Sequence, residues 1–528
     1  MYFALVWLIG CRKLGIMLAT LTWQDNFVIV AYLLGMIGFG VWLSRRERSD
    51  EDYFLAGRTM PWFAVGVSVI ASILSSLTYL SEPGEVWKSG VTHLFGKLLA
   101  IPFEMIFVWL ICIPFLMRFR FTSAYEYLGQ RFGIATRRVG VGLFILLVVL
   151  WMGFVVLATA KALAQISGWS LLTVLVTVGV VATAYTMLGG LRAVIWTDVI
   201  QVALLIGGSV FTIGYVAVKT GTWLPDWFAA SANHLQEQNH QALPWFSLDP
   251  TVRATVLTVA LHMCVWHICT HLSNQMTVQR YFSTTDPKAA RRSFVTASLF
   301  GVAINLLLVV TGLALVYFYL GQSIVPEDGV IEQGRYDLVF PIFAIHHLPP
   351  GVGGGILAAL LAAAMSSIDS GINSIATVVT TEMRQDRRDN VKLAMMITAG
   401  TGGFIVAAAY LLNFMPAKWG IVAALPRTFN AVTGPLGGLF LIGMFLPNAG
   451  QRAALVGVTC GMLVSIGIGY SEQLGSLFQT GWPAISFTWV MPLSLAATMG
   501  SAWLVGGGSG VAIGGLTWRD EGESSGDR

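Results

Sequence analysis

Apolar runs of about 20 residues recur along the whole chain, each long enough to cross the hydrocarbon core of a bilayer as a helix. The predicted spans are 26–44, 60–81, 94–117, 139–164, 169–189, 194–218, 252–275, 294–320, 350–382, 392–413, 419–446, 452–471 and 484–506. This pattern predicts an all-α integral membrane protein with about 13 transmembrane helices. Two spans are interrupted at mid-depth. The 60–81 span holds Ser72, Ser75, Ser76 and Thr78 and runs out at Glu82-Pro83-Gly84. The 252–275 span holds His262, His267, Thr270, His271, Ser273 and Asn274. With 26–44 set aside, these two open the first and second sets of five spans. Interrupted helices at matching positions of two halves point to a site near the midplane.

A third stretch, ILAALLAAAMSSIDSGINSIATVVTTE (356–382), is apolar enough to span yet carries Ser366, Ser367, Asp369, Ser370, Asn373 and Ser374. Such groups are costly at membrane depth unless they face protein, water or an ion. On a helix, Ala363, Ser366, Ser367 and Ser370 fall at i, i+3, i+4 and i+7, which is one face. Oxygen ligands on a stripe of small residues suit a hard cation such as Na⁺. Serines that back-bond or mediate helix packing would give the same stripe; the carboxylate of Asp369 favours the ion.

Composition agrees with the pattern. The chain of 528 residues is 55% hydrophobic and 11% charged, against about 25% charged in soluble domains. One membrane domain over 26–506 is expected, with its core at about 60–446. Residues 1–25 read as a leader or extra segment, interrupted by Arg12 and Lys13 and offering Met17 as a second start; 507–528 read as a cytoplasmic tail, polar at its end. Clusters such as Arg45/Arg46/Arg48/Arg58, Arg118/Arg120/Arg131/Arg137/Arg138 and Arg384/Arg387/Arg388/Lys392 fall on alternate sides from the basic-poor loops 220–250 and 321–340. By the positive-inside rule the N-terminus is outside and the C-terminus cytoplasmic, in a multi-pass protein of the cell (inner) membrane. The five cysteines have no metal spacing and read as packing residues. No zinc spacing, phosphate loop or Ser/His/Asp arrangement is present, so neither an enzyme, an organic cofactor nor a nucleic-acid partner is expected.

Six ordered motifs resemble the sodium:solute symporter family, of the sodium/glucose-cotransporter type with the leucine-transporter-like fold. They are YFLAGR (53–58), ASILSSLTYLSEPGEVW (71–87), YTMLGGLRAVIWTDVIQ (185–201), NQMTVQRYFST (274–284), AAAMSSIDSGINS (362–374) and TGPLGGLFLIGMF (433–445). The resemblance implies a Na⁺-coupled symporter for a small-molecule solute, working in the lipid bilayer by alternating access, with a 5+5 inverted-repeat core whose first and sixth helices are broken. It places the main sodium site on Ala71, Leu74, Ala363, Ser366 and Ser367, and a second one, found in some relatives, on Asp198, Asp369 and Ser370. A structural pairing of Asp198 with an arginine such as Arg192 is the alternative for that residue.

The positions of the family's sugar-binding set hold Leu98, His267, Gly301 and Arg427, so hexose recognition is not reproduced. The third core helix (139–160) also lacks the Arg with which sialic-acid-transporting relatives bind a carboxylate. Arg427 lies about 12 Å into its span at 1.5 Å per residue and must face a cavity or a partner. It is a candidate clamp for a substrate carboxylate, aided by Lys97 and His267; an ion pair with Glu82, Glu85 or Glu104 is the other reading. Ser75, Ser76, Thr78 and Thr270, hydroxyls around the two interruptions, complete the substrate-binding candidates. Trp87 and Trp266 are candidate gates, and the other tryptophans read as interface anchors or packing. An organic acid or acidic sugar is the expected solute. A neutral sugar or other solute is the alternative, and a sensor or passive channel on the same fold is a more distant one.

Overall fold

The computed structural model describes residues 21–44, 49–237, 243–247, 249–322, 324, 334–383, 390–415, 421–506 and 516–518, and side chains for all of these but 421–426. Most of the expected leader and tail, and the basic residues Arg45, Arg46, Arg48, Arg384, Arg387 and Arg388, lie outside them. The described residues form helices and no strands. Eleven of the helices are long and apolar enough to cross a membrane, and a twelfth span is counted if Asp50–Arg58 and Trp62–Ile73 are taken together.

The count of 13 is not reached in this way, for two physical reasons. The spans expected at 169–189 and 194–218 form one continuous element, Leu171–Thr220, of 50 residues. Straight, it would be about 75 Å long, more than twice the roughly 30 Å bilayer core. A kink at Gly190 (φ 53, ψ −154) divides it into two membrane-length pieces. Only glycine fits there, because a Cβ would lie 2.5 Å from the Tyr53 carbonyl oxygen. The expected 60–81 span, in turn, is two half-helices separated by a break.

The elements that build the site are α1 (Trp23–Ser44), α2 (Trp62–Ile73), α3 (Ser76–Ser89), α4 (Thr92–Leu116), α5 (Ile134–Ser167), α6 (Leu171–Thr220), α7 (Val256–Ser273), α8 (Gln275–Phe282), α9 (Pro287–Gly321), α10 (Val352–Met383), α11 (Val391–Leu412), α12 (Ile421–Phe445), α13 (Gln451–Gly469) and α14 (Val490–Gly506). The central one is α10, buried without interruption over residues 356–378 and packed on α1, α2, α3, α5, α6, α8 and α11. Alanine, glycine and serine make this possible, since small side chains let neighbouring backbones approach from every side. The polar residues of α10 therefore serve several faces and not the single stripe that periodicity suggests. Its N-terminus is tied to α1, where Asp25 Oδ1 accepts from the backbone N–H of Gly351 (2.8 Å) and Gly354 (2.7 Å). This satisfies orphan donors of the kind every helix start leaves.

The YFLAGR motif is a turn. Ala56, Gly57 and Arg58 are successive left-handed residues (φ 51, 63 and 54), and beyond them α2 departs at 111° from the preceding helix. Non-glycine residues pay for this geometry, about 1 kcal/mol or more each. Hydrogen bonds hold it: Arg192 Nη2 donates to the Ala56 carbonyl, and Arg58 donates to the carbonyls of Phe121 and Phe282.

Candidate ion and substrate site

The two interrupted helices break alike. α2 stops at Leu74 (φ −83, ψ 104), whose N–H donates to Ile70. α7 stops at Asn274 (φ −82, ψ 112), whose N–H donates to Thr270. The helix resumes as α3 after Ser75 and as α8 after Asn274. Extended backbone at Leu74 and Ser75 leaves the Ala71 carbonyl without its usual helical donor. Ser366 supplies one from α10, its Oγ lying 3.1 Å from the Ala71 oxygen and 3.1 Å from the Ala363 oxygen. Ser367 Oγ lies 3.4 Å from the same Ala363 oxygen. Two carbonyls and two hydroxyls thus converge between α2 and α10, a hard-oxygen set that fits Na⁺. Leu74 is the break residue beside them.

A second cluster lies along α10, towards its C-terminal end. Arg280 of α8 donates from Nε to Ser68 Oγ (2.6 Å), from Nη1 to the Met276 carbonyl (2.6 Å), and from Nη2 to Asp198 Oδ2 (3.0 Å) and Ser370 Oγ (2.5 Å). Ser68 Oγ also donates to Asp198 Oδ2, and the Tyr185 hydroxyl donates to Asp369 Oδ2, both at 2.5 Å. The structure therefore brings Asp198, Asp369 and Ser370 together, around a guanidinium. The arginine on Asp198 is Arg280, and Arg192 instead holds the turn at Ala56. Asp198 Oδ1 is buried with no hydrogen-bond partner. Gln279 of the same motif donates to the Phe54 carbonyl, Asn373 Oδ1 and Thr377 Oγ1, tying α8 to α10.

A cavity of about 410 Å³ opens beside the breaks. Ser75, Thr78, Lys97, His267 and Trp266 line it, with Leu98 and Gly301 at the positions the family resemblance marks. Ser76, Thr270, Arg427 and Trp87 do not line it. Ser76 Oγ bonds Thr159 Oγ1 at 2.5 Å, Thr270 Oγ1 is buried without a partner, and Trp87 packs among His234, Tyr319 and Tyr336. Arg427 sits three residues before the cavity-lining Asn430 on α12. None of its expected carboxylate partners pairs with it. Glu82 pairs with Lys97 and His93, Glu85 with Arg253, and Glu104 Oε2 lies 3.4 Å from His267 Nδ1.

Sequence reasoning missed Asn305 and Asn430 in the cavity wall and Arg280 at the centre of the second cluster, and it read Glu104, also in that wall, only as a candidate partner of Arg427. Glu104 and Asn305 were already visible as polar groups inside apolar spans, which is reason enough to expect a function.

Comparison with known proteins follows this geometry. The sodium:solute symporter family matches residues 53–461. The chain is 30% identical over 461 residues to the sodium/sialic acid symporter SiaT of Proteus mirabilis, covering 85% of this chain and 90% of that one. It is 31% identical over 445 residues to the human sodium-coupled monocarboxylate transporter 1, covering 81% and 70%. Among solved structures, the substrate-bound outward-open state of a Na⁺-coupled sialic acid symporter superposes with a TM-score of 0.79 at 26% identity, over 93% of this chain and 100% of that one. That structure reveals a novel Na⁺ site. Two matching broken helices, a serine-bearing helix bonded across one of them, and these likenesses over most of the chain lead to one conclusion: the protein belongs to the sodium:solute symporter family, as a Na⁺-coupled multi-pass membrane transporter and not an enzyme.

Proposed function

We propose that the protein imports a small organic acid, acidic sugars included, driven by Na⁺ entry. The observation that carries this is the contact of Ser366 with the freed Ala71 carbonyl beside a cavity whose largely apolar wall carries a few polar groups. Na⁺ on Ala71, Leu74, Ala363, Ser366 and Ser367 would bridge α2 to α10 and stabilise the outward-open state. Solute would then bind between α3, α4, α7, α9 and α12, and closure would follow. Each Na⁺ draws about 2.3 kcal/mol per 100 mV from the membrane potential. Relatives named for sialic acid and monocarboxylates support an acidic solute, as does Lys97 in the cavity wall, with Arg427 three residues before the lining Asn430. The charge asymmetry of the loops supports an outside N-terminus and a cytoplasmic C-terminus.

A second reading, a neutral sugar or other uncharged solute, is favoured by the ion pair that Lys97 already makes with Glu82. Na⁺-driven uptake into proteoliposomes separates the two. Arg427→Gln removes charge-assisted hydrogen bonds worth about 1.5–3 kcal/mol, so the KM for an acid should rise roughly 10- to 100-fold while neutral solutes are unaffected. An unchanged KM for the acid assigns Arg427 to the fold.

Asp198, Asp369 and Ser370 are the candidates for a second Na⁺. Two buried carboxylates against one guanidinium leave one unit of negative charge, which a sodium ion or a proton would neutralise. With a second Na⁺ there, uptake by the parent protein shows a Hill coefficient for Na⁺ near two and Asp369→Asn lowers it to near one. A parent value near one, at any pH, leaves the main site as the single coupling site.

A further inference from the structure

Away from the transport path, one recess carries charge that neither ion site nor cavity uses. A groove of about 670 Å³ forms where the first turns of α9 meet the start of α2 and the second half of α4. Its polar end is Lys288, Arg291 and Arg292 of α9; its aromatic walls are Trp62 and Phe63 of α2 and Trp109 of α4. Among the described residues none of the three cations is in an ion pair. The Arg291 guanidinium lies over the Trp109 ring, 4.9 Å from its centroid, and its Nε is buried with no hydrogen-bond partner. A buried charged donor without an acceptor is expensive, and an anion in the groove would remove that cost.

The acid that caps α9 is already engaged. Asp286 Oδ1 accepts from the N–H of Lys288 (2.7 Å) and Ala289 (2.9 Å), and Oδ2 accepts from the Thr285 hydroxyl (3.0 Å). Positive charge is left in excess, at the end of α9 where the helix dipole is also positive.

The surroundings define what kind of anion fits. From the cations, α9 continues into exposed Leu299 and Leu306, and on α4 the faces of Phe103 and Ile106 are about 60% exposed. Bare apolar surface of this extent on membrane-spanning helices faces acyl chains. Tryptophans at the level of the cations mark the interface between headgroups and hydrocarbon. Basic pockets between transmembrane helices are suited to anionic headgroups.

We propose that this groove binds an anionic phospholipid, its phosphate held by Lys288, Arg291 and Arg292 and its acyl chains lying along Phe103 and Leu299. The full-length protein, delipidated in detergent, is titrated with phosphatidylglycerol, phosphatidylcholine or inorganic phosphate and followed by native mass spectrometry and thermal melting. One phosphatidylglycerol should be retained at roughly tenfold lower concentration than phosphatidylcholine, a preference of about 1.4 kcal/mol. Lys288→Gln with Arg292→Gln, both at exposed positions, should abolish that preference, and Arg291→Gln should do the same. The double variant keeps the test independent of whether the Arg291 variant folds. Equal retention of the two lipids, an unchanged preference in the double variant, or equal stabilisation by inorganic phosphate alone would each overturn the assignment.

Discussion

Arg280→Gln is expected to destabilise the protein by about 3–5 kcal/mol, because removing one partner of a buried pair strands the other charge. The stranded groups are identifiable. Asp198 would lose the one cation that pairs with it among the described residues while keeping an Oδ1 that already has no partner, and Ser68, Ser370 and the Met276 carbonyl would each lose a bond. Three nitrogens of one guanidinium donate in different directions, so Arg280→Lys restores charge without the geometry and should recover only part of the loss. Adding Asp198→Asn to Arg280→Gln removes the uncompensated charge and should recover more. Thermal melting in detergent at fixed Na⁺ reads all four proteins. A single variant melting with the parent would mean that the cluster is solvated and that its bonds contribute little.

With Ser366 in the proposed ion site, Ser366→Ala should raise the Na⁺ concentration for half-maximal uptake by roughly 10- to 100-fold, the loss of one oxygen ligand at about 1.5–3 kcal/mol. Expression and folding should survive, because the change removes one hydroxyl from a helix packed by small residues. Ser374→Ala is the matched control: it too is buried on α10, but its hydroxyl donates only to the Gly371 carbonyl. Sodium affinity equal in both variants would remove Ser366 from the ion site. A shift for Ser366 alone would separate ion binding from helix packing, the two readings that the serine stripe leaves open.

The helices were legible because a membrane span needs only length and apolarity, and the breaks because polar residues interrupt that apolarity. The family motifs located Ala71, Ser366 and Ser367, which the structure does bring together. Three-dimensional pairing was less legible. Arg192 stands six residues before Asp198, whereas Arg280 comes 82 residues later. No periodicity connects the elements that carry Asp198 and Arg280. Ser76 follows the break as closely as Ser75 does, but the new helix starts there and turns its hydroxyl onto Thr159. The spans expected at 169–189 and 194–218 meet at Gly190, where one residue at φ 53 bends the helix without a loop, so a count of continuous helices takes the two as one.

The short helix α2 has a joint at each end: the left-handed run Ala56–Arg58 on one side and the extended pair Leu74–Ser75 on the other. Its twelve residues keep their own hydrogen-bond ladder whatever angle those joints take. A swing about these two joints would not require it to unwind. What resists the swing is lateral, and near the far joint it is the Ala71–Ser366 contact to the buried α10. The coupling ion would then act as a latch pin between a lever and a fixed post. Withdrawing it costs the lever no secondary structure, so the work of ion release can appear as movement of the gate rather than as heat of unfolding.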